Sequence, residues 1–123
     1  MAVVDLAFAP GVTAPRAARV ELRSLAMSAH ERDIVGLLVS ELVTNAVLHA
    51  GLGVGQRIRV RGNITEGAIR IEVIDGGTGI GIALRDPKPN GGGWGLHLVD
   101  ELAHRWGVAH AAGTHVWFEL DRS

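Results

Sequence analysis

The chain of 123 residues contains no cysteine, only one lysine (Lys88) and no long apolar run. The absence of cysteine excludes disulfide bonds, thiolate metal sites and thiol catalysis. No apolar stretch approaches the ~20 residues that a membrane-spanning helix needs, and no secretory signal peptide is recognisable. We therefore expect a cytoplasmic protein without a membrane partner.

The chain also lacks an excess of charge of either sign. Twelve basic and thirteen acidic residues leave a formal net charge of −1, which does not indicate binding to nucleic acid or to a charged membrane surface. The length is enough for one domain with its own core and leaves no room for a second. We expect a single domain over residues 1–123, with no nucleic-acid partner.

The spacing of apolar residues predicts an α+β domain. Alternation of polar and apolar residues predicts strands over 2–8, 57–64, 68–74, 106–110 and 114–120. Helical periodicity and capping residues predict helices over 13–27, 28–50 and 96–105, the second with a capping box formed by Ser28 and Glu31. This order is typical of a two-layer α/β sandwich, with helices on one face of a mixed or antiparallel sheet.

The stretch between the third strand and the third helix is rich in glycine and proline, over residues 76–93. So long a connection in a small domain is usually functional. We expect a lid over a binding site, at about residues 80–93.

Glu41 and Asn45 lie one turn apart on a predicted helix that is apolar nearly all round. A carboxylate in such surroundings needs a partner, a shifted pKa or a ligand. One interpretation is a structural pair or a helix edge that meets solvent. The other is that the Asn45 oxygen binds Mg²⁺, which prefers oxygen ligands, and that Glu41 acts as a general base. The helix alone leaves both open.

Asp75 ends a predicted strand and is followed by glycines at positions 76, 77 and 79. A carboxylate there can accept a hydrogen bond from the amino group of adenine, and the glycines let a planar ligand approach the backbone. The plainer interpretation is an ordinary Asp-Gly turn.

A second glycine run, residues 91–93 and 95, leads into the third predicted helix. Free N–H groups and the positive end of the helix dipole would favour a phosphate there, although a flexible linker would look similar. Neither a P-loop motif nor a complete G-x-G-x-x-G between a strand and a helix occurs.

Taken together and in order, these segments resemble the asparagine box and the two glycine boxes of the GHKL ATPase/kinase superfamily. They are Glu41-x-x-x-Asn45, Asp75-x-Gly77-x-Gly79 and Gly93-x-Gly95-Leu96. The stretch 41–47 and the closing Gly113-Thr114-x-Val116-Trp117 extend the similarity to roughly residues 6–120. The chain is most similar to the small bacterial anti-sigma-factor serine/threonine kinases.

The resemblance implies a Bergerat fold, a sandwich with a mixed sheet, that binds ATP and Mg²⁺ under a lid. It implies that Asn45 binds Mg²⁺, that Glu41 is the general base, and that Asp75, supported by Thr114, reads the adenine amino group. Gly77 and Gly79 would shape the base pocket. The phosphates would be lined by Gly93, Gly95 and Leu96.

The resemblance also implies partners and an activity. Kinases of this kind bind a sigma factor, phosphorylate a serine on an anti-sigma-factor antagonist protein, and often form homodimers. This sequence departs from the family pattern at Leu48, where many relatives have a basic residue near the phosphates. Gly76 and Thr78 also replace a usual acid and proline, and Lys88 or Arg85 is placed to compensate for the lost cation.

Two alternatives follow from these departures and from the family itself. Leu48 favours a nucleotide-dependent binding module that does not transfer phosphate. The catalytic fragment of a histidine kinase is a weaker alternative, because the sequence has no phosphoacceptor helix pair and no sensor.

Overall fold

The computed structural model describes residues 2–49, 55–76, 94–110 and 113–122. Within these residues the chain forms five strands and three helices in the predicted order. They are β1 (Ala2–Phe8), α1 (Ala14–Leu22), α2 (Ala29–His49), β2 (Ile58–Ile64), β3 (Ala68–Asp75), α3 (Trp94–Leu102), β4 (Arg105–His110) and β5 (Thr114–Asp121). The predicted α+β class is confirmed.

The five strands form one sheet in the order β1-β2-β3-β5-β4. Every neighbouring pair is antiparallel, so the mixed sheet implied by the resemblance is wrong for the described strands, and the antiparallel alternative is correct. The antiparallel order follows from the path of the chain after β3. α3 comes before β4, and β4 lies at the edge of the sheet. The chain then turns back as β5 and fills the place beside β3, which makes both of its pairings antiparallel.

α1 is shorter than its apolar pattern predicts and ends at Leu22 instead of Met27. The backbone beyond it turns repeatedly, with Leu25 N–H donating to Leu22 O at 3.2 Å. The guanidinium of Arg32 holds this turn by donating to Met27 O at 3.1 Å. The N–H groups of Leu25 and Met27 thus bond to carbonyls two or three residues back instead of four, which ends the α-helical pattern.

The capping box predicted at the start of α2 is confirmed. Ser28 N–H donates to Glu31 Oε1 at 2.8 Å, and Glu31 N–H donates to Ser28 Oγ at 3.1 Å. Two backbone donors that have no partner inside the helix are satisfied in this way.

Alternate residues of β2, β3 and β5 are buried against the helices, which gives the sheet one apolar face. Phe118 is fully buried at its centre. One buried position of β2 is a glycine, Gly62. A side chain does not fit there, because a Cβ would come within 2.9 Å of Val4 Cγ1. The core is completed by buried residues of the three helices: Ala14, Ala18, Leu22, Val35, Leu38, Val39, Leu42, Val43, Ala46, Leu96 and Val99.

The opposite face of the sheet carries charged residues that pair with one another. Arg70 donates to Glu119 Oε2 at 3.1 Å and lies 4.2 Å from the ring centre of Trp117. Arg105 contacts Glu119 at 2.8 Å and also pairs with Asp121. The hydrogen bonds from Arg105 and then Arg70 hold the pKa of Glu119 below its ordinary value.

The C-terminal end of the sheet is tied to the start of α2 by Arg122. Its guanidinium donates to Glu31 Oε2 at 3.0 Å and to Thr65 O at 2.7 Å. The backbone N–H of Ser28 and then Arg122 lower the pKa of Glu31 from its ordinary value of 4.5. The ionised carboxylate is therefore the form that stabilises the folded chain.

We expect this carboxylate to make stability depend on pH. Because its pKa is lower in the folded chain, its contribution is present above pH 4.5 and is lost as the pH falls through the folded value. Glu31→Gln keeps an acceptor for Ser28 N–H but removes the charge that faces Arg122, and should cost about 1 kcal/mol near neutral pH. Thermal unfolding should show this difference shrinking in acid. Glu66→Gln, at an exposed carboxylate nearby, should show neither effect; a pH-independent loss in Glu31→Gln would contradict the assignment.

Candidate functional site

Glu41 and Asn45 lie one turn apart on α2. Both are half-buried, and neither has a hydrogen bond or an ion pair within the described part of the chain. The nearby Thr44 differs, since its hydroxyl donates to Ser40 O at 2.7 Å. The structural pair considered from the sequence is therefore not formed, and both polar groups are available to a ligand.

Asp75 is at the end of β3, in the centre of the sheet, and only 4% of its surface is exposed. Thr114, the first residue of β5, faces it in register and is fully buried. A buried carboxylate needs hydrogen-bond donors, and it forms stronger hydrogen bonds there than it would in water. The burial of Asp75 therefore argues against the interpretation of this segment as an ordinary exposed Asp-Gly turn.

Gly113 brings β5 into contact with the end of β3. Its φ is +118°, and a Cβ on this residue would lie 2.1 Å from the carbonyl oxygen of Asp75. No side chain fits so close an approach, and non-glycine residues rarely adopt such a φ. Gly113 therefore sets the position of Thr114 relative to Asp75. Sequence reasoning gave Gly113 no role, although a glycine directly before a strand signals such an approach.

Gly113→Ala should separate Thr114 from Asp75. We expect a loss of at least about 1–3 kcal/mol of stability from backbone strain, together with weaker binding of ATP. Urea unfolding and calorimetric titration would measure the two effects. Gly67→Ala is the matched control, because a Cβ at Gly67 meets nothing within 4 Å. Equal behaviour of the two variants would contradict the role of Gly113.

α3 begins at Trp94 and includes Gly95 and Leu96 in its first turn. The Leu96 side chain is 3% exposed and belongs to the core. Leu96 and Gly95 can therefore bind a phosphate through their backbone N–H groups. These groups have no partner within the helix, because they lie in its first turn. Gly77, Gly79, Gly93, the basic residues Arg85 and Lys88, and the predicted lid over about 80–93 all lie outside the described residues.

The three parts of the candidate site are carried by elements that touch one another. α2 contacts both α3 and β3, and β3 pairs with β5 along its whole length. The candidate residues thus lie on neighbouring elements: Glu41 and Asn45 on α2, Asp75 at the end of β3, and Leu96 in the first turn of α3. The helix dipole of α3 favours negative charge there.

The described residues by themselves do not supply a full set of metal ligands. Among the described residues, no group of three or more histidine, aspartate or glutamate side chains is placed to hold a metal. Mg²⁺ fits this arrangement, because it keeps several waters and is usually held by one or two side chains together with substrate phosphates. The unpaired Asn45 oxygen is suited to be such a ligand.

The chain is a two-layer α+β domain with a half-buried Glu41 and Asn45 on α2 and a buried Asp75 at a sheet end. A comparison with protein families finds a match over most of the chain. The model of the histidine kinase-like ATPase domain matches residues 11–120, so the chain belongs to that family. No curated protein matches it. None of the helices in the described ranges is long and apolar enough to span a membrane.

The match supports the GHKL resemblance and the ATPase or kinase class of the domain. The match is to the family as a whole and does not distinguish its members. The roles of individual residues and the anti-sigma kinase activity stay predictions.

Proposed function

We propose that this protein is an ATP-dependent protein serine kinase that acts as an anti-sigma regulator in the cytoplasm. The observation that carries the proposal is the pair Glu41 and Asn45, which have no partner in the described part of a domain of this family. The partly exposed side chains of Glu41 and Asn45 can be hydrated in the free protein and are open to a ligand. A site that receives a ligand between them and Asp75 explains the arrangement.

In this proposal the two ends of the pocket have separate tasks. Asp75, supported by Thr114, accepts a hydrogen bond from the adenine amino group, and Gly77 and Gly79 shape the space for the base. Backbone N–H groups of Gly93, Gly95 and Leu96 bind the phosphates at the start of α3. Asn45 holds Mg²⁺, which would neutralise charge on the phosphates when bound.

The proposed reaction is an in-line transfer of the γ-phosphoryl group to a serine hydroxyl. Glu41 accepts the hydroxyl proton as the serine oxygen bonds to the γ-phosphorus. The bond from that phosphorus to the bridging oxygen breaks, and ADP leaves. The acceptor is an antagonist protein, the second partner is a sigma factor, and the working unit is a homodimer.

Leu48 supports a second candidate, a nucleotide-dependent binding module without transfer. Its side chain is 67% exposed on the Glu41 side of α2, at the position of the basic residue found in many relatives. An apolar side chain there supplies no charge to a phosphate. The two candidates share the pocket and differ only in the chemical step.

Calorimetric titration with Mg-ATP, followed by incubation with γ-labelled ATP and a panel of antagonist proteins, tests the proposal. Saturable binding and label on a serine support the kinase. Tight binding with no label on any antagonist supports the binding module. Absence of saturable ATP binding would contradict both.

A further inference from the structure

One side chain of α3 has a buried polar atom without a hydrogen-bond partner among the residues that the structure describes. The atom is Nε2 of His97, the fourth residue of the helix. Asp100 and Glu101 follow on the same face of α3, and neither forms an ion pair with His97 in the described part of the chain. Asp100 instead accepts a hydrogen bond from Trp106 Nε1 at 2.9 Å. The described fold therefore leaves this ring nitrogen unsatisfied.

A buried ring nitrogen without a partner lowers the stability of the folded chain, because it has lost its hydrogen bond to water and gained none. His104, just beyond the end of α3, shows the ordinary arrangement. Its Nδ1 accepts a hydrogen bond from Asp121 N–H at 3.0 Å. The nitrogen of His97 has a physical explanation if a bound molecule supplies the missing partner.

The position of His97 on α3 places its ring beside the first turn of that helix. Side chains of an α-helix lean toward its N-terminus, so the ring of His97 covers the turn that precedes it. That turn carries the backbone N–H groups of Gly95 and Leu96, to which the phosphates are assigned in the proposed function. Leu96 precedes His97 by a rise of about 1.5 Å along the helix axis. The ring is therefore a neighbour of the proposed phosphate site.

The helix that packs against α3 brings no positive charge to this site. α2 contacts α3, and its sequence contains neither lysine nor arginine after Arg32. Leu48, at the position where many relatives have a basic residue, is 67% exposed and uncharged. An imidazole N–H donates a hydrogen bond to a phosphate oxygen, and hydrogen bonds to a charged acceptor are the strong ones. His97 is thus suited to replace the contact that Leu48 cannot make.

We propose that His97 is a phosphate-binding residue, which donates a hydrogen bond from Nε2 to a phosphate oxygen of ATP. This inference rests on the proposed function and adds one side chain to the backbone N–H groups already assigned to the phosphates. The nucleotide supplies the acceptor that the free protein lacks. The same imidazole therefore stabilises the complex and destabilises the free fold.

His97→Leu should have two effects of opposite sign. Its affinity for Mg-ATP should fall at least about tenfold, because a charged acceptor loses its donor. Its melting temperature without nucleotide should rise, because an apolar side chain replaces an unsatisfied buried nitrogen. Adenosine has no phosphate, so its affinity should change less than about twofold. Calorimetric titration and thermal unfolding of the full chain measure these quantities.

Two further variants separate the hydrogen bond from the packing of the ring. His97→Gln keeps an N–H donor on a side chain of similar reach, and it should recover most of the Mg-ATP affinity that His97→Leu loses. His104→Leu is the matched control, because it removes a histidine that has a partner. It should lower the melting temperature and change the Mg-ATP affinity less than about twofold.

The outcomes distinguish a failure of this proposal from a failure of the proposed function. A lower melting temperature and unchanged Mg-ATP affinity in His97→Leu would make His97 a structural residue and overturn the proposal. Equal losses of affinity for adenosine and for Mg-ATP would also overturn it, because the effect would then not lie at the phosphates. In both cases the wild type still binds Mg-ATP, and the proposed function stands. A wild type that binds no Mg-ATP would contradict both proposals.

Discussion

Asp75→Asn should lower the affinity for ATP by roughly tenfold to a hundredfold, equivalent to about 1.4–2.8 kcal/mol. The carboxylate is 4% exposed, so water cannot readily replace a hydrogen bond that is lost there. A carboxamide has one acceptor atom and an added amino group, which meets the adenine amino group as a second donor. Calorimetric titration with ATP and with GTP measures the effect, and the preference for ATP should shrink together with the affinity.

Asp33→Asn provides the control for this variant. Asp33 is exposed on α2 and makes no ion pair in the part of the chain that the structure describes, so ATP affinity should stay unchanged. Circular dichroism separates a lost contact from a lost fold. If folded Asp75→Asn binds ATP as tightly as the wild type, Asp75 does not read the base.

Glu41→Gln should lower the rate of phosphoryl transfer by about 10²–10⁴-fold, the usual contribution of a general base, with ATP affinity changed by less than about threefold. The substitution keeps the size of the side chain and removes its ability to accept a proton. Because Glu41 has no partner in the described residues, its replacement breaks no internal contact. Single-turnover transfer from labelled ATP to the antagonist protein measures the rate.

Glu21→Gln makes the same change at an exposed carboxylate of α1 and should transfer phosphate at the wild-type rate. Rates that are equal in Glu41→Gln and the wild type would mean that another group takes the proton. A loss of ATP affinity as large as the loss of rate would place Glu41 in nucleotide binding instead.

These two variants separate the ends of the pocket. In the proposed function, Asp75 reports on base recognition and Glu41 reports on the chemical step at α2. Leu48, exposed on α2 about two turns beyond Glu41, carries no charge. A protein that passes the first test and fails the second would be the binding module.

Much of the fold could be predicted from the sequence because its signals are local. Alternation marked all five strands, and Ser28 and Glu31 marked the start of α2, as their reciprocal hydrogen bonds confirm. The end of α1 was predicted wrongly at Met27, because the N–H groups beyond Leu22 bond to nearer carbonyls in a turn that Arg32 of the next helix contacts. Such a contact depends on how α1 and α2 pack and leaves no periodic pattern.

By itself the sequence determined the α+β class, the order of the elements and the family, since these follow from periodicity, caps and ordered motifs. The tertiary structure decided which strands are neighbours and which side chains are left over. It buried Asp75 beside Thr114, gave Gly113 its close approach to Asp75, and left Glu41 without a hydrogen bond or ion pair among the residues that the structure describes. The physical reason is that burial and charge pairing depend on residues distant along the chain, which only the packed sheet and helices bring together.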